Sequence, residues 1–168
     1  PDEPKPIRIA MAGDSTMANY KSPLAAKGLT GWGMVFGEFF KERVEIINLA
    51  ASGRSMLSFR QQGFWKRALD AKPNYVFIQF GHNDQKNPAL DAEGGFRTQL
   101  LDYIHEAREA GIAPVLVTPV ARRTFNSEGK LETRLGPWAD AMKRVSREKN
   151  LPLIDLHAKS MALYSKIG

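Results

Sequence analysis

"PIRIAMAGDST", Pro6 to Thr16, is an apolar run of strand length that stops at a glycine. A carboxylate and two hydroxyls follow at once. A short apolar run bounded by turn residues reads as a strand buried on both faces. The form recurs in "VEIINLAASG" (Val44–Gly53), "NYVFIQFGHND" (Asn74–Asp84), "APVLVTPV" (Ala113–Val120) and "LPLIDL" (Leu151–Leu156). Helical patterns lie between and after these runs. "GWGMVFGEFFKER" spaces Met34, Phe36, Phe39 and Phe40 near helical period, and "MLSFRQQGFWKRAL" follows the second run. "GGFRTQLLDYIHEAREAG" aligns Leu100, Leu101, Ile104 and Ala107, with Gly111 as its C-terminal glycine. "RLGPWADAMKRVSREKN" carries Trp138, Met142 and Val145, and "HAKSMALYSKIG" closes the chain. Five alternations imply an α/β fold: a three-layer α/β/α domain over residues 1–168 with a parallel sheet. Ligands of such sheets bind beyond the carboxyl ends of the strands.

Composition narrows the class. A chain of 168 residues suits one domain with a sizeable core. No apolar run approaches the ~20 residues of a membrane span. The absence of cysteine excludes disulfides, thiolate zinc sites and cysteine nucleophiles. Net charge is +6, from scattered basic residues. It reads as a solvated surface, with attraction to an acidic partner, either a polyanionic polysaccharide or nucleic acid, as the sharper alternative. "KRVSREK" (Lys143–Lys149) reads as an exposed helix face, and nothing matches a nucleic-acid motif. No cofactor is expected, and no His or carboxylate cluster has metal-ligand spacing.

The strand ends carry the chemistry. After the first strand, Gly13 permits a sharp turn that exposes the hydroxyl of Ser15. The alternative is that Asp14 or Ser15 caps a helix. After the second strand, Gly53 leaves its N–H open to close approach, or simply forms a tight turn. After the third, Asn83 offers an amide donor to an oxyanion, and Asp84 holds the loop through backbone N–H groups. Asn-Asp is also a common turn pair. Ser15, Gly53 and Asn83 leave three successive strand ends, so all three are expected at one crevice.

"GDST", "NLAASGRS" and "GHND" together resemble the first three blocks of the SGNH (GDSL-like) hydrolases. "GDSTMA", with Thr16 in place of the usual Leu, resembles the rhamnogalacturonan acetylesterase branch. The resemblance runs from about Ile7 to the chain end. It implies a five-stranded flavodoxin-like sheet of order 2-1-3-4-5. It implies Ser15 as nucleophile, with the N–H groups of Ser15 and Gly53 and the Asn83 amide as oxyanion hole. The implied activity is removal of acetyl groups from a plant cell-wall polysaccharide such as rhamnogalacturonan. The substrate partner is then an acetylated polysaccharide or oligosaccharide, with no nucleic acid or membrane involved. The alternatives are a lipase, arylesterase or thioesterase of the same superfamily, or a catalytically incomplete binding module or fragment.

The family completes its triad with Asp-x-x-His after the fifth strand. The histidines here are His82, His105 and His157. His105 follows Asp102 by three residues, but in the middle of a helical pattern, so a helix surface is expected for it. His157 follows the fifth strand two residues after Asp155, which makes that pair the substitute candidate. His82 lies beside Asn83 and is kept out of the triad. The chain stops at Gly168, before the family's block would arrive, so a missing C-terminal segment is expected rather than a relocated dyad. The start at "PDEPKP" reads as processed or engineered, and a secreted or periplasmic location is expected. "GWGMVFG" has one residue too many for a dinucleotide fingerprint, so core packing is expected there, with Trp32 near the crevice.

Overall fold

The computed structural model describes residues 5–21, 23–40 and 43–168. Strands β1 (Ile7–Gly13), β2 (Val44–Asn48), β3 (Tyr75–Gln79), β4 (Ala113–Val117) and β5 (Leu153–Ile154) form one parallel sheet. Their order is β2-β1-β3-β4-β5, as the family resemblance implies. Register fixes what leaves the sheet together. Met11 pairs with Asn48 on one side and Phe77 on the other, and Gly13 pairs with Gln79. Asp14 and Phe80 therefore depart at one level.

Helices α1 (Met56–Gln61), α2 (Phe64–Asp70), α3 (Gly95–Glu109), α4 (Gly136–Lys149) and α5 (Leu156–Ile167) alternate with the strands. The single helix expected over Met56–Leu69 is two, α1 and α2. Gly63 separates them at φ +77°, a conformation that favours glycine. On α3, Leu100, Ile104 and Ala107 are buried as the stripe predicts, joined by Phe96 and Tyr103. Gly111, at φ +73°, follows the helix and donates its N–H to Arg108 O.

The helix expected in "GWGMVFGEFFKER" does not form. Two short 3₁₀ turns, Trp32–Met34 and Phe36–Phe39, replace it. A Cβ on Gly31 would sit 2.1 Å from Ala18 O, and one on Gly33 would sit 2.3 Å from Met17 O. Those glycines let this segment press against the turn after β1. Each glycine also weakens a helix by about 1 kcal/mol. Phe36 and Phe40 pack on the core, while Met34 is exposed and Phe39 is 80% exposed. Lys41 and Glu42, at the end of the predicted helix, lie outside the described residues.

Side chains alternate across the sheet. Ala10, Ala12, Val76, Ile78 and Leu116 face a layer that includes Phe59, Trp65, Tyr103 and Met142 from α1–α4. Ile9, Met11, Phe77, Val115 and Val117 face Met17, Trp32, Phe36 and Leu156 on the other side. The first layer reaches the strand ends through Tyr103. Its ring stacks on Trp65 at 4.1 Å, and its hydroxyl donates to Met56 O at 2.7 Å. Burial pushes that hydroxyl far above the usual tyrosine range, so it remains a donor and pins the start of α1.

Candidate active site

The three predicted residues lie on loops tied to one another by hydrogen bonds. Ala51 N donates to Gly13 O at 2.9 Å, which fastens the loop after β2 to the end of β1. Asn83 Nδ2 donates to Arg54 O at 3.0 Å, which fastens the loop after β3 to the residue following Gly53. Ser15, Gly53 and Asn83 thus sit on one stitched rim at the carboxyl edge of the sheet.

Local chemistry explains each position. Gly13 does not need a left-handed turn. A Cβ there would meet Met17 Sδ at 2.8 Å and Gln79 O at 2.9 Å, so close packing requires the glycine. Gly53 is the converse: an added Cβ meets nothing, but φ is +78°. Asp14 is fully buried and closes the turn, accepting Thr16 N at 2.9 Å and Thr16 Oγ1 at 2.8 Å on Oδ1. Asp14 therefore shapes a turn with no α-helix behind it, and the capping alternative does not describe Ser15. The half-buried Ser15 presents a hydroxyl with no hydrogen-bond partner among the described residues, and its carbonyl accepts from Tyr20 OH at 3.0 Å.

Among the described residues, the backbone N–H groups of Ser15 and Gly53 have no protein acceptor, and Asn83 commits only one amide hydrogen. These are donors left for something else. Asp84 behaves oppositely. Its Oδ1 accepts Met56 N at 2.8 Å and its Oδ2 accepts Gly81 N at 2.9 Å. It holds the loop through backbone N–H groups, as its position in "GHND" predicts. Burial pushes its pKa up to about 6, with the Asp14 charge adding to the rise and the backbone N–H groups opposing it.

A family model described as the GDSL-like Lipase/Acylhydrolase family matches residues 11–164. The chain belongs to this family. Rhamnogalacturonan acetylesterase RhgT of Bacillus subtilis is 40% identical over 98% of this chain and 71% of its own length. The probable rhamnogalacturonan acetylesterase YesY of the same organism is 35% identical, over 95% of this chain and 75% of its own. The crystal structure of Bacillus subtilis protein YxiM superposes with a TM-score of 0.83 at 28% identity. That match covers 98% of this GDSL-like chain but 47% of YxiM, so the chain spans about half of it. No helix among the described residues is long and apolar enough to cross a membrane.

The substitute dyad of this GDSL-like domain is not formed. Asp155 caps α5 by accepting Ala158 N at 3.1 Å, accepts Thr118 Oγ1 at 3.0 Å, and pairs with Lys143 Nζ at 3.1 Å. Partial burial raises its pKa, but the Ala158, Lys143 and Thr118 bonds outweigh that and hold it below the usual value. His157 turns its Nδ1 to Pro119 O at 3.1 Å. Burial holds its pKa below the ordinary value and favours the neutral ring, although the Pro119 bond opposes this. Two residues of spacing do not place the pair together, because α5 begins at Leu156 and turns the backbone between them. His105 and Asp102 are exposed on α3, and His105 approaches Glu109 at 3.6 Å.

His82 occupies a more telling position. Its Nδ1 lies 3.5 Å from Asp14 Oδ2, and both atoms are buried without a hydrogen-bond partner. Sequence reasoning did not connect these two residues, because they come from different strand ends. It also missed Gln79, whose Nε2 donates to Thr16 Oγ1 while its Oε1 accepts Trp32 Nε1 at 2.5 Å. That relay braces the Ser15 turn from below and places Trp32 near the rim. The available signal was a lone amide in the apolar run "VFIQF".

Proposed function

We propose that this domain is a serine carbohydrate esterase that removes acetyl groups from a plant cell-wall polysaccharide such as rhamnogalacturonan. The observation that supports the reading is the set of unspent donors on the stitched rim that also carries the free Ser15 hydroxyl: two backbone N–H groups and one amide hydrogen. Ser15 Oγ attacks the acetyl carbonyl, and its proton passes to a general base. The carbonyl oxygen gains negative charge and is met by Ser15 N–H, Gly53 N–H and Asn83 Nδ2. The C–O bond to the sugar then breaks, the sugar oxygen takes the proton, and an acetyl-Ser15 ester remains. Attack by water releases acetate and restores the serine.

Among the described residues none of the three histidines is hydrogen-bonded to Ser15 Oγ: His157 turns to Pro119 O, His82 to Asp14 and His105 to Glu109. The sugar substrate is supported by the acetylesterase names of RhgT and YesY. It is also supported by the polar neighbours of the rim, Arg54, Gln85 and Lys86, which suit a saccharide better than a long acyl chain. A polysaccharide substrate in turn favours a secreted or periplasmic location. The test is acetate release from acetylated rhamnogalacturonan by the wild-type chain and by Ser15→Ala, each with and without imidazole as an added base. Loss of all protein-dependent release in the variant is expected. Undiminished release would overturn the reading.

A further inference from the structure

Asp14 and His82 each stand one residue before a member of the site, Ser15 and Asn83. Asp14 follows β1, His82 lies in the loop after β3, and both are buried. The Asp14 carboxylate is spent on one oxygen. Its Oδ1 accepts Thr16 N at 2.9 Å and Thr16 Oγ1 at 2.8 Å, whereas Oδ2 is buried with no hydrogen-bond partner among the described residues. His82 Nδ1 is buried and unpartnered in the same way, and it lies 3.5 Å from that oxygen. Asp84, the other buried carboxylate among the described residues, is already bonded through both oxygens to Met56 N and Gly81 N.

Two buried atoms without partners face each other, and that decides where the imidazole proton sits. A neutral ring carries one N–H, on either nitrogen. With the proton on Nε2, the Nδ1 lone pair would point at the carboxylate oxygen and repel it. With the proton on Nδ1, the ring donates to Oδ2 once the gap closes by about 0.5 Å to ordinary N–H···O length. Active-site hydrogen bonds are often long in the free enzyme and tighten in the complex. This contact also completes a triangle of loops. Ala51 N ties the loop after β2 to Gly13 O, and Asn83 Nδ2 ties the loop after β3 to Arg54 O. Asp14 and His82 supply the third side, between the Ser15 turn and the Asn83 loop.

We propose that His82 is a positioning residue of the oxyanion hole: with its proton on Nδ1 it donates to Asp14 Oδ2 and so fixes the Asn83 amide relative to the Ser15 turn. The proposal rests on the serine esterase reading and goes beyond it by giving Asp14 and His82 a joint task. His82 touches no reacting atom in this role. It acts through the spacing of nucleophile and oxyanion donor, where a misplacement of about 1 Å can cost ~10²-fold in rate.

The first test is heteronuclear NMR of the full chain, labelled in its histidine rings, at a pH where the His82 ring is neutral. The Nδ1–H tautomer is expected. Asp14→Asn should keep its amide oxygen on the Thr16 donors and turn its N–H toward Nδ1, which moves the ring proton to Nε2. An Nε2–H tautomer in the wild-type chain, or no change in Asp14→Asn, would overturn the proposal. The second test is kinetic. His82→Phe keeps a ring without a donor, and kcat for acetate release is expected to fall about 10–10²-fold with KM within about twofold. His82→Asn sets an amide N–H where Nδ1 stands and is expected to return kcat to within about threefold of wild type. A packing role predicts the reverse order, since phenylalanine fills the volume and asparagine does not, and that order would also overturn the proposal. The tautomer is read without turnover, so its failure is distinct from failure of the Ser15 assignment, which Ser15→Ala reads on acetate release.

Discussion

Two places at the carboxyl edge of the sheet each bring an aspartate near a histidine, and they are built in opposite ways. At the end of β5, Asp155 accepts a helix N–H and a threonine hydroxyl and pairs with a lysine, while His157 leans on a carbonyl. At the ends of β1 and β3, Asp14 Oδ2 and His82 Nδ1 face each other at 3.5 Å with no other partner. The first pair is close in sequence, yet its side chains make no bond to each other among the described residues, and the two residues meet through Thr118, whose hydroxyl bonds Asp155 Oδ1 and His157 N. The second is far apart in sequence and adjacent in space. A saturated polar group is committed to structure, whereas unspent donor capacity near a free hydroxyl is what acyl transfer requires.

The largest effect that sharpens this contrast is on rate. Asn83→Ala is expected to slow acetyl transfer by about 10²–10³-fold, the usual cost of an oxyanion donor. His157→Gln is expected to leave the rate within twofold of wild type, since its ring serves Pro119 O. A large loss in His157→Gln with none in Asn83→Ala, read as initial rates of acetate release, would reverse the comparison.

The next effect is on stability and has opposite signs at the two ends. Asp84 carries a pKa raised to about 6 in the folded chain from an ordinary 3.8. The folded state therefore holds this proton more tightly than the unfolded state does. Its contribution to stability falls as pH rises from about 4 to 6, by about 3 kcal/mol at most. Asp155 has a lowered pKa, so its contribution is present above the ordinary carboxylate range and fades as pH falls through the folded value. Urea unfolding of wild type, Asp84→Asn and Asp155→Asn across acidic pH checks both directions. Each variant should lose only its own limb of the profile.

Smaller changes probe single positions. Gly53→Ala places a side chain in open space but at φ +78°, and should cost about 1–2 kcal/mol in urea unfolding. Asp155→Ala removes the cap of α5 and should cost about 1 kcal/mol without altering turnover.

The strands were legible because each is a short apolar run closed by turn residues, and parallel burial leaves that mark. The order of the sheet came from the family blocks, since alternation alone is compatible with several orders. Ser15, Gly53 and Asn83 were legible as strand-end residues, and the stitching of their loops follows from the parallel register. The segment from Gly31 to Phe40 misled, because its aromatic spacing mimics a helix while Gly31 and Gly33 are shaped by the backbone of Met17 and Ala18. The Asp155 and His157 spacing misled for a similar reason: a helix begins between them. The Asp14–His82 approach and the Gln79 relay join residues more than 40 positions apart, and no local pattern reports such pairing.

The central claim is that the Ser15 hydroxyl becomes acylated where three donors converge. Trapping with a fluorophosphonate ester, followed by peptide mass spectrometry, tests it most directly. The account predicts a single phosphonyl adduct on the peptide containing Ser15, lost in Ser15→Ala and slowed in Asn83→Ala. An adduct on another residue, or equal labelling of the Ser15→Ala chain, would contradict it.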